Sequence, residues 1–390
     1  MAVACLVRSS GSPAARGSMV RQTDPRKRGL PRRAATPYLE VATEKRFDLH
    51  HMSATDRGQH GKGYSVIEAR PDMTQHSATQ APLSFARIMV AVDSSPASAA
   101  ALRYLRRLVH PGATTVRVVS VAENPHTLVP LGVWAGSQLQ AARDELLRDA
   151  DTAIKTAQSA LDGCGALLEG EVIDLYKEGG DLVHALSMAA VQWAPDLVVL
   201  GARHHRALLR WVEGEVSAPL AKLLRAPTLI VPVEYEDELP GPPSRILFAT
   251  DGSDASLTAL RAGMGLVSAR SDWRVIYVVD RLLGRETGPL EQQLEETLRE
   301  SGQVALKAAG GELAASDPQK VVETALIMTK STYDDVAHAI DRDARQWKAQ
   351  LVVLGTHGRR GLTRWLLGSV AERTLRLTSI PLLLVPPVER

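Results

Sequence analysis

The residues best suited to chemistry lie in two short stretches of the C-terminal half of the chain. Gly355-Thr356-His357-Gly358 follows the apolar run Leu351-Val352-Val353-Leu354, nine residues intervene, and then comes Gly368-Ser369-Val370-Ala371-Glu372. Glycine at 355 and 358 permits positive φ and lets backbone approach a ligand closely. Gly368-Ser369 stands where a helix is expected to begin, and there unpaired N–H groups and the helix dipole favour a phosphate. Ser369 to Glu372 also fits a capping box, which supports a helix start at that point. The loop between carries Arg359, Arg360 and Arg364. Each of these is either a counter-charge for a polyphosphate or part of a solvated basic loop. The second stretch, Thr250-Asp251-Gly252-Ser253, brings a carboxylate to the end of another apolar run, Ile246 to Ala249.

Other chemistries find less support. No Ser-His-Asp set has suitable spacing, and neither GxxxxGK[ST] nor GxGxxG occurs between a strand and a helix. Cys5 and Cys164, 159 positions apart, cannot form a disulfide framework or a multi-cysteine zinc site, which fits a reducing compartment, the cytoplasm. Cys164 sits between Gly163 and Gly165 with nothing to mark it as reactive. His184 and His338 read as packing or surface residues, and Trp193 and Trp347 as core or domain contacts. His357 could hydrogen-bond a phosphate. No catalytic residue and no metal ligand is assigned.

The elements that position these stretches follow from the apolar pattern. Short runs at Ile88–Val92, Val116–Val121, Val172–Ile173, Leu197–Leu200 and Thr228–Val231 alternate with helical stretches at Ala97–Leu108, Gly136–Leu161 and Leu182–Gln192. Continuous apolar strands between helices mean a parallel sheet covered on both faces, a doubly wound α/β domain. The pattern then restarts with Ile246–Ala249, Val275–Val279, Leu351–Leu354 and Leu382–Val385. An offset of 154 carries His184, Trp193, Leu197, Gly201, Trp211, Gly214, Pro227 and Pro232 onto His338, Trp347, Leu351, Gly355, Trp365, Gly368, Pro381 and Pro386. At the first strand the offset is 158, from Asp93 to Asp251. The chain is a tandem duplication.

Its organisation is read as a basic, disordered extension over 1–83, a first domain over 84–235, a Pro-rich linker over 236–243 and a second domain over 244–390. The 390 residues are 45% apolar and 23% charged, which suits two globular domains plus an accessory segment. The net charge of +2 hides an asymmetry: residues 1–83 hold 13 Lys and Arg against 7 Asp and Glu, leaving 33 against 37 elsewhere. A mildly acidic folded part argues against nucleic acid as a partner. No run reaches the roughly 18 apolar residues of a membrane span, so no membrane partner is expected.

The spacing G-x2-G-x9-G-S after a buried strand, joined to the Asp251 loop and to Pro381-Leu382-Leu383-Leu384-Val385-Pro386, resembles the ATP-binding branch of the universal stress protein family. The resemblance covers both copies, about residues 84–389. It implies two tandem Rossmann-like five-stranded parallel domains of the adenine nucleotide alpha-hydrolase-like type, with the nucleotide across the carboxyl ends of strands one and four. By this resemblance Thr250 and Asp251 flank the adenosine half and Val278 lines the base. Leu354, Gly355 and Gly358 supply backbone around ribose and phosphates, and Gly368, Ser369 and Val370 hold the phosphates. ATP is the implied ligand, with Mg2+ as its companion; a lone carboxylate such as Asp251 more often orients ribose, base or magnesium than serves as a general base. For Val278 and Leu354, core packing explains most of the buried area.

The first copy departs from the pattern. Gly201 is followed by Ala202-Arg203-His204, and Gly214 by Glu215 where the phosphate-binding serine would be. A carboxylate there repels phosphate, and Pro219 implies a different helix start, so the first copy is expected to bind ATP weakly or not at all. The function implied is regulatory, with slow or absent hydrolysis. The alternative is an enzyme of the wider superfamily that cleaves ATP or transfers its adenylyl group, which would be expected to show an SGGxDS loop. Here Asp251-Gly252-Ser253-Asp254-Ala255-Ser256 lacks the paired glycines. In the resembled family domains pair through their last strands, which implies an intramolecular pair here and a possible homodimer of the whole chain. Pro232 and Pro386 limit how far such pairing can extend.

Overall fold

The computed structural model describes residues 85–128, 136–202, 216–236, 241–268, 270–280, 289–330, 334–358 and 367–387. The basic extension lies outside them, as do Arg203, His204, Gly214 and Glu215 of the first copy and Arg359, Arg360 and Arg364 of the second.

The first copy runs β1 (Arg87–Ala91), α1 (Pro96–Leu105), β2 (Thr115–Ala122), α2 (Pro125–Leu128), α3 (Gly136–Leu161), β3 (Leu167–Asp174), α4 (Leu175–Glu178), α5 (Leu182–Trp193), β4 (Leu197–Ala202), α6 (Ser217–Leu223) and β5 (Thr228–Pro232). The second runs β6 (Arg245–Ala249), α7 (Asp254–Met264), β7 (Asp272–Val279), α8 (Pro289–Ser316), β8 (Val322–Met328), α9 (Val336–Gln346), β9 (Leu351–Gly355), α10 (Ser369–Leu377) and β10 (Leu382–Val385).

Helix starts recur at repeat positions because their caps do. Ser95 and Ser253 accept from the N–H groups of Ser98 and Ser256 to cap α1 and α7. Asp181 and Asp335 accept from those of His184 and His338 to cap α5 and α9. Each side-chain oxygen satisfies an N–H with no intrahelical partner. The ends of α5 and α9 match too, with Ala194 and Lys348 in the left-handed region at φ 49° and 58°.

All ten strands of the described residues join one sheet in the order β3-β2-β1-β4-β5-β10-β9-β6-β7-β8. Within each copy pairing is parallel, and β1 and β6 sit between the strands that follow them, with β4 and β9 on one side. The two halves meet where β10 runs antiparallel to β5, with Leu382, Leu383 and Leu384 opposite Ile230, Leu229 and Thr228. The seam spans three residue pairs, bounded by Pro232 at the end of β5 and Pro386 after β10.

The core crosses the seam on both faces of the sheet. One cluster includes Val90, Val118, Leu197, Leu229 and Val231 together with Phe248, Val275, Val353, Leu383 and Val385. Another joins Ala218, Ala221 and Ile230 of the first copy to Val352, Leu375, Leu382 and Leu384 of the second. At the margin Tyr104 Oη donates to the carbonyl of Gln350 at 3.0 Å, and Lys222 Nζ lies 3.5 Å from Glu372 Oε2. Two five-stranded halves thus become one ten-stranded layer.

Candidate functional site

The carboxyl ends of β6, β7 and β9 open onto a cleft of about 510 Å³, walled on its other side by α9 and α10. Its size falls within the roughly 300–1,000 Å³ of ligand pockets.

The Asp251 loop is locked by short-range hydrogen bonds. Thr250 N–H extends the ladder by donating to the carbonyl of Ile276 at 2.9 Å. Thr250 Oγ1 accepts from Gly252 N–H at 3.1 Å and lies 2.9 Å from Ser256 Oγ. Gly252 makes the tight turn at φ +79°, a conformation that a Cβ would disfavour. Asp251 Oδ1 accepts from Ser253 N–H at 3.0 Å and from its Oγ–H at 2.6 Å. The carboxylate is therefore aimed by its own loop.

The opposite lip is set by close backbone approach. Gly355 and Gly358 have ordinary φ, so the reason for glycine there is space and not positive φ. A Cβ on Gly358 would lie 2.6 Å from Asp251 Oδ2, and one on Gly368 would lie 2.9 Å from the carbonyl oxygen of Thr356. That carbonyl accepts the Gly368 N–H at 2.7 Å and so fixes the start of α10. His357 lines the cleft, with Nδ1 2.9 Å from Thr356 Oγ1.

The capping-box expectation for Ser369 needs correction. Gly368 is the cap residue and has no side chain to cap with, and Ser369 is the first residue of α10. Glu372 turns away to Arg376 Nη2 at 2.8 Å and to Lys222 of the first copy. Among the described residues no side chain takes the first-turn N–H groups of α10, the groups that an α-helix leaves without an intrahelical partner.

All nine residues singled out from the sequence line this cleft: Thr250, Asp251, Val278, Leu354, Gly355, Gly358, Gly368, Ser369 and Val370. The sequence reading missed Ile276, Val336, Ile340 and Leu367, which with Val278 and Leu354 make an apolar wall. Two signals could have found the first three. Ile276 and Val278 share a strand face at a spacing of two, and Val336 and Ile340 share a helix face at a spacing of four.

Charges at the rim concentrate at the start of α9. Burial pushes the Asp335 carboxyl up, but the His338 backbone N–H, the His338 ring and the Arg373 guanidinium together hold it below the ordinary carboxylate value. For Asp334, burial is likewise outweighed, by the Lys330 N–H and Arg342. His338 Nδ1 lies 3.0 Å from Asp335 Oδ1. Trp193 is buried, with the guanidinium groups of Arg87 and Arg117 4.4 and 4.9 Å from its ring centre. Trp347 packs partly buried beside the second cluster and donates Nε1–H to Glu323 Oε2 at 3.0 Å. No group of three or more His, Cys, Asp or Glu that could hold a metal occurs among the described residues.

The first copy keeps one half of this arrangement. Asp93 Oδ1 accepts from Ser98 Oγ–H at 2.6 Å and from Ser95 N–H at 2.9 Å, a loop like that of Asp251. Val92 stands where Thr250 is, and α6 begins at Ser217 although the counterpart of Ser369 is Glu215.

The profile of the universal stress protein family matches residues 84–232 and 243–386. The chain belongs to that family. A universal stress protein of Mycolicibacterium smegmatis is 28% identical over 306 residues, 77% of this chain and 97% of the relative. One of Methanocaldococcus jannaschii is 35% identical over 146 residues, 36% of this chain and 81% of the relative. Among solved structures, a universal stress protein from Archaeoglobus fulgidus superposes with a TM-score of 0.53 at 17% identity, covering 78% of this chain and all of the other. That likeness speaks for the tandem fold. No helix among the described residues is long and apolar enough to cross a membrane.

Proposed function

We propose that this universal stress protein binds an adenine nucleotide, ATP, in the cleft of its second copy and acts in the cytoplasm as a regulatory stress-response protein. The observation that carries this reading is the polarity of the cleft. Ile276, Val278, Ile340 and Leu354 make an apolar wall suited to a base, and the uncapped start of α10 at Gly368-Ser369 offers N–H groups to phosphates. On this reading Thr250 and Asp251, which line the same cleft, meet the ribose.

Mg2+ fits as a companion of the phosphates and not as a resident ion. Asp251 is the carboxylate on the cleft wall, and magnesium commonly keeps several waters and takes one or two carboxylates plus phosphate oxygens. The regulatory role is favoured over hydrolysis because Asp251 is held by Ser253 in a structural turn. The first copy serves as the paired, non-binding partner along the β5·β10 seam. A homodimer of this already paired unit is a further level of assembly, to be read from sedimentation with and without ATP.

The test is titration calorimetry of the full chain with ATP, together with identification of any nucleotide released on denaturation. Gly368→Glu, which places a carboxylate beside the phosphates, is expected to lower ATP affinity at least tenfold. Equal affinity in the two proteins would remove the site from this cleft.

A further inference from the structure

We infer that Arg373 is a positioning residue for the phosphate end of the cleft, its guanidinium holding the start of α10 against the start of α9 through the Asp335 carboxylate. This rests on the nucleotide reading above and names the residue that keeps the two helical walls in register. Arg373 Nε lies 2.6 Å from Asp335 Oδ2. The other carboxylate oxygen, Oδ1, accepts the His338 N–H at 3.0 Å and caps α9. The arginine therefore grips a carboxylate that is already fixed to its own helix.

Each helix contributes wall to the cleft, Val336 and Ile340 from α9 and Ser369 and Val370 from α10. Its cap residue Gly368 offers no side chain, so the start of α10 is held by the Gly368 to Thr356 backbone bond, by Glu372 on Lys222 of the first copy and by Arg373 on Asp335, of which Arg373 alone reaches α9. Arg373 engages Asp335 through Nε, and the role inferred for it is to orient the helix.

The duplicated copy supplies an internal comparison. Asp181 caps α5 there by accepting the His184 N–H at 2.8 Å, just as Asp335 caps α9. The position of Arg373, however, is Pro219, and α6 starts at Ser217 and not at the counterpart of Ser369. The copy whose phosphate motif is degenerate has kept the cap and lost the tie.

Phosphates must meet N–H groups at hydrogen-bond distance, whereas a base against an apolar wall tolerates small shifts. Loss of the tie should therefore act on the phosphates selectively. In calorimetric titrations of the full chain, Arg373→Met is expected to weaken ATP about threefold to fivefold, in keeping with a partly exposed ion pair, and to leave adenosine within a factor of two. Arg373→Lys should recover most of the loss. Asp335→Asn keeps an acceptor for the cap and removes the charge; it should match Arg373→Met, and the double variant should be no weaker than either. The inference is overturned if ATP and adenosine weaken together, if the two substitutions add, or if ATP affinity does not change. A wild-type protein that binds no adenine nucleotide would overturn the nucleotide reading itself, and this inference with it. Arg373 is 59% exposed, so folding should survive each change, and thermal melts of all variants report it.

Discussion

At the scale of single residues, the glycines of the motif act by leaving room. Gly201 and Gly355 are repeat counterparts at the ends of β4 and β9, yet their surroundings differ. A Cβ on Gly201 would lie 2.2 Å from the carbonyl oxygen of Ala97, whereas one on Gly355 would lie 3.2 Å from that of Ala255. Backbone cannot yield as a side chain can, so Gly201→Ala is expected to destabilise by about 3 kcal/mol or more and Gly355→Ala by about 1 kcal/mol. Urea unfolding of the two variants would check the order. Gly358→Ala forces a Cβ against Asp251 Oδ2 and disturbs the cleft more than the core. Its expected signature is at least a tenfold loss of ATP affinity with a small change in melting temperature, read by calorimetry and by thermal melts.

At the scale of elements, capping decides where the site helices begin. Asp181→Ala and Asp335→Ala each remove a side-chain cap and should cost about 1 kcal/mol. Only the second, beside the cleft, should also weaken ATP. Acid sensitivity belongs to the same scale. Asp174, held low mainly by Arg143 against the effect of burial, and Asp334 and Asp335 all have carboxyl groups below their unfolded value. A lowered carboxyl contributes stability that is fully present above the unfolded value of about 3.9 and is lost as pH falls through the folded one. Stability should therefore hold from pH 7 to about 5 and fall below about 4. Asp334→Asn should flatten that fall, which chemical denaturation at a series of pH values would reveal.

At the scale of the whole molecule, the seam between the copies is expected to make one cooperative unit out of the two halves. Leu383 and Leu229 face each other across β10 and β5, both fully buried. Leu383→Asp would bury a carboxylate with no partner, at a cost of several kcal/mol. Because both core clusters cross the seam, denaturant unfolding followed by tryptophan fluorescence and by circular dichroism should give one coincident transition. Two separated transitions would show that the halves are energetically independent.

The sequence by itself determined the duplication, nine of the ten strands and the glycine spacing of the site, because apolar runs, capping residues and glycines act over a few neighbours along the chain. The half-exposed edge strand β8 has no continuous apolar run to reveal it, and the roles of the nine cleft residues came with the family resemblance that the spacing carries. Tertiary structure decided the rest. It placed β5 beside β10 to fuse two sheets, and it brought α9 to the cleft with Val336 and Ile340. It also showed Gly368 and not Ser369 at the cap of α10, and it set Arg373 against Asp335 across 38 positions of sequence. Such contacts depend on which element lies beside which in space, and no spacing along the chain encodes that distance.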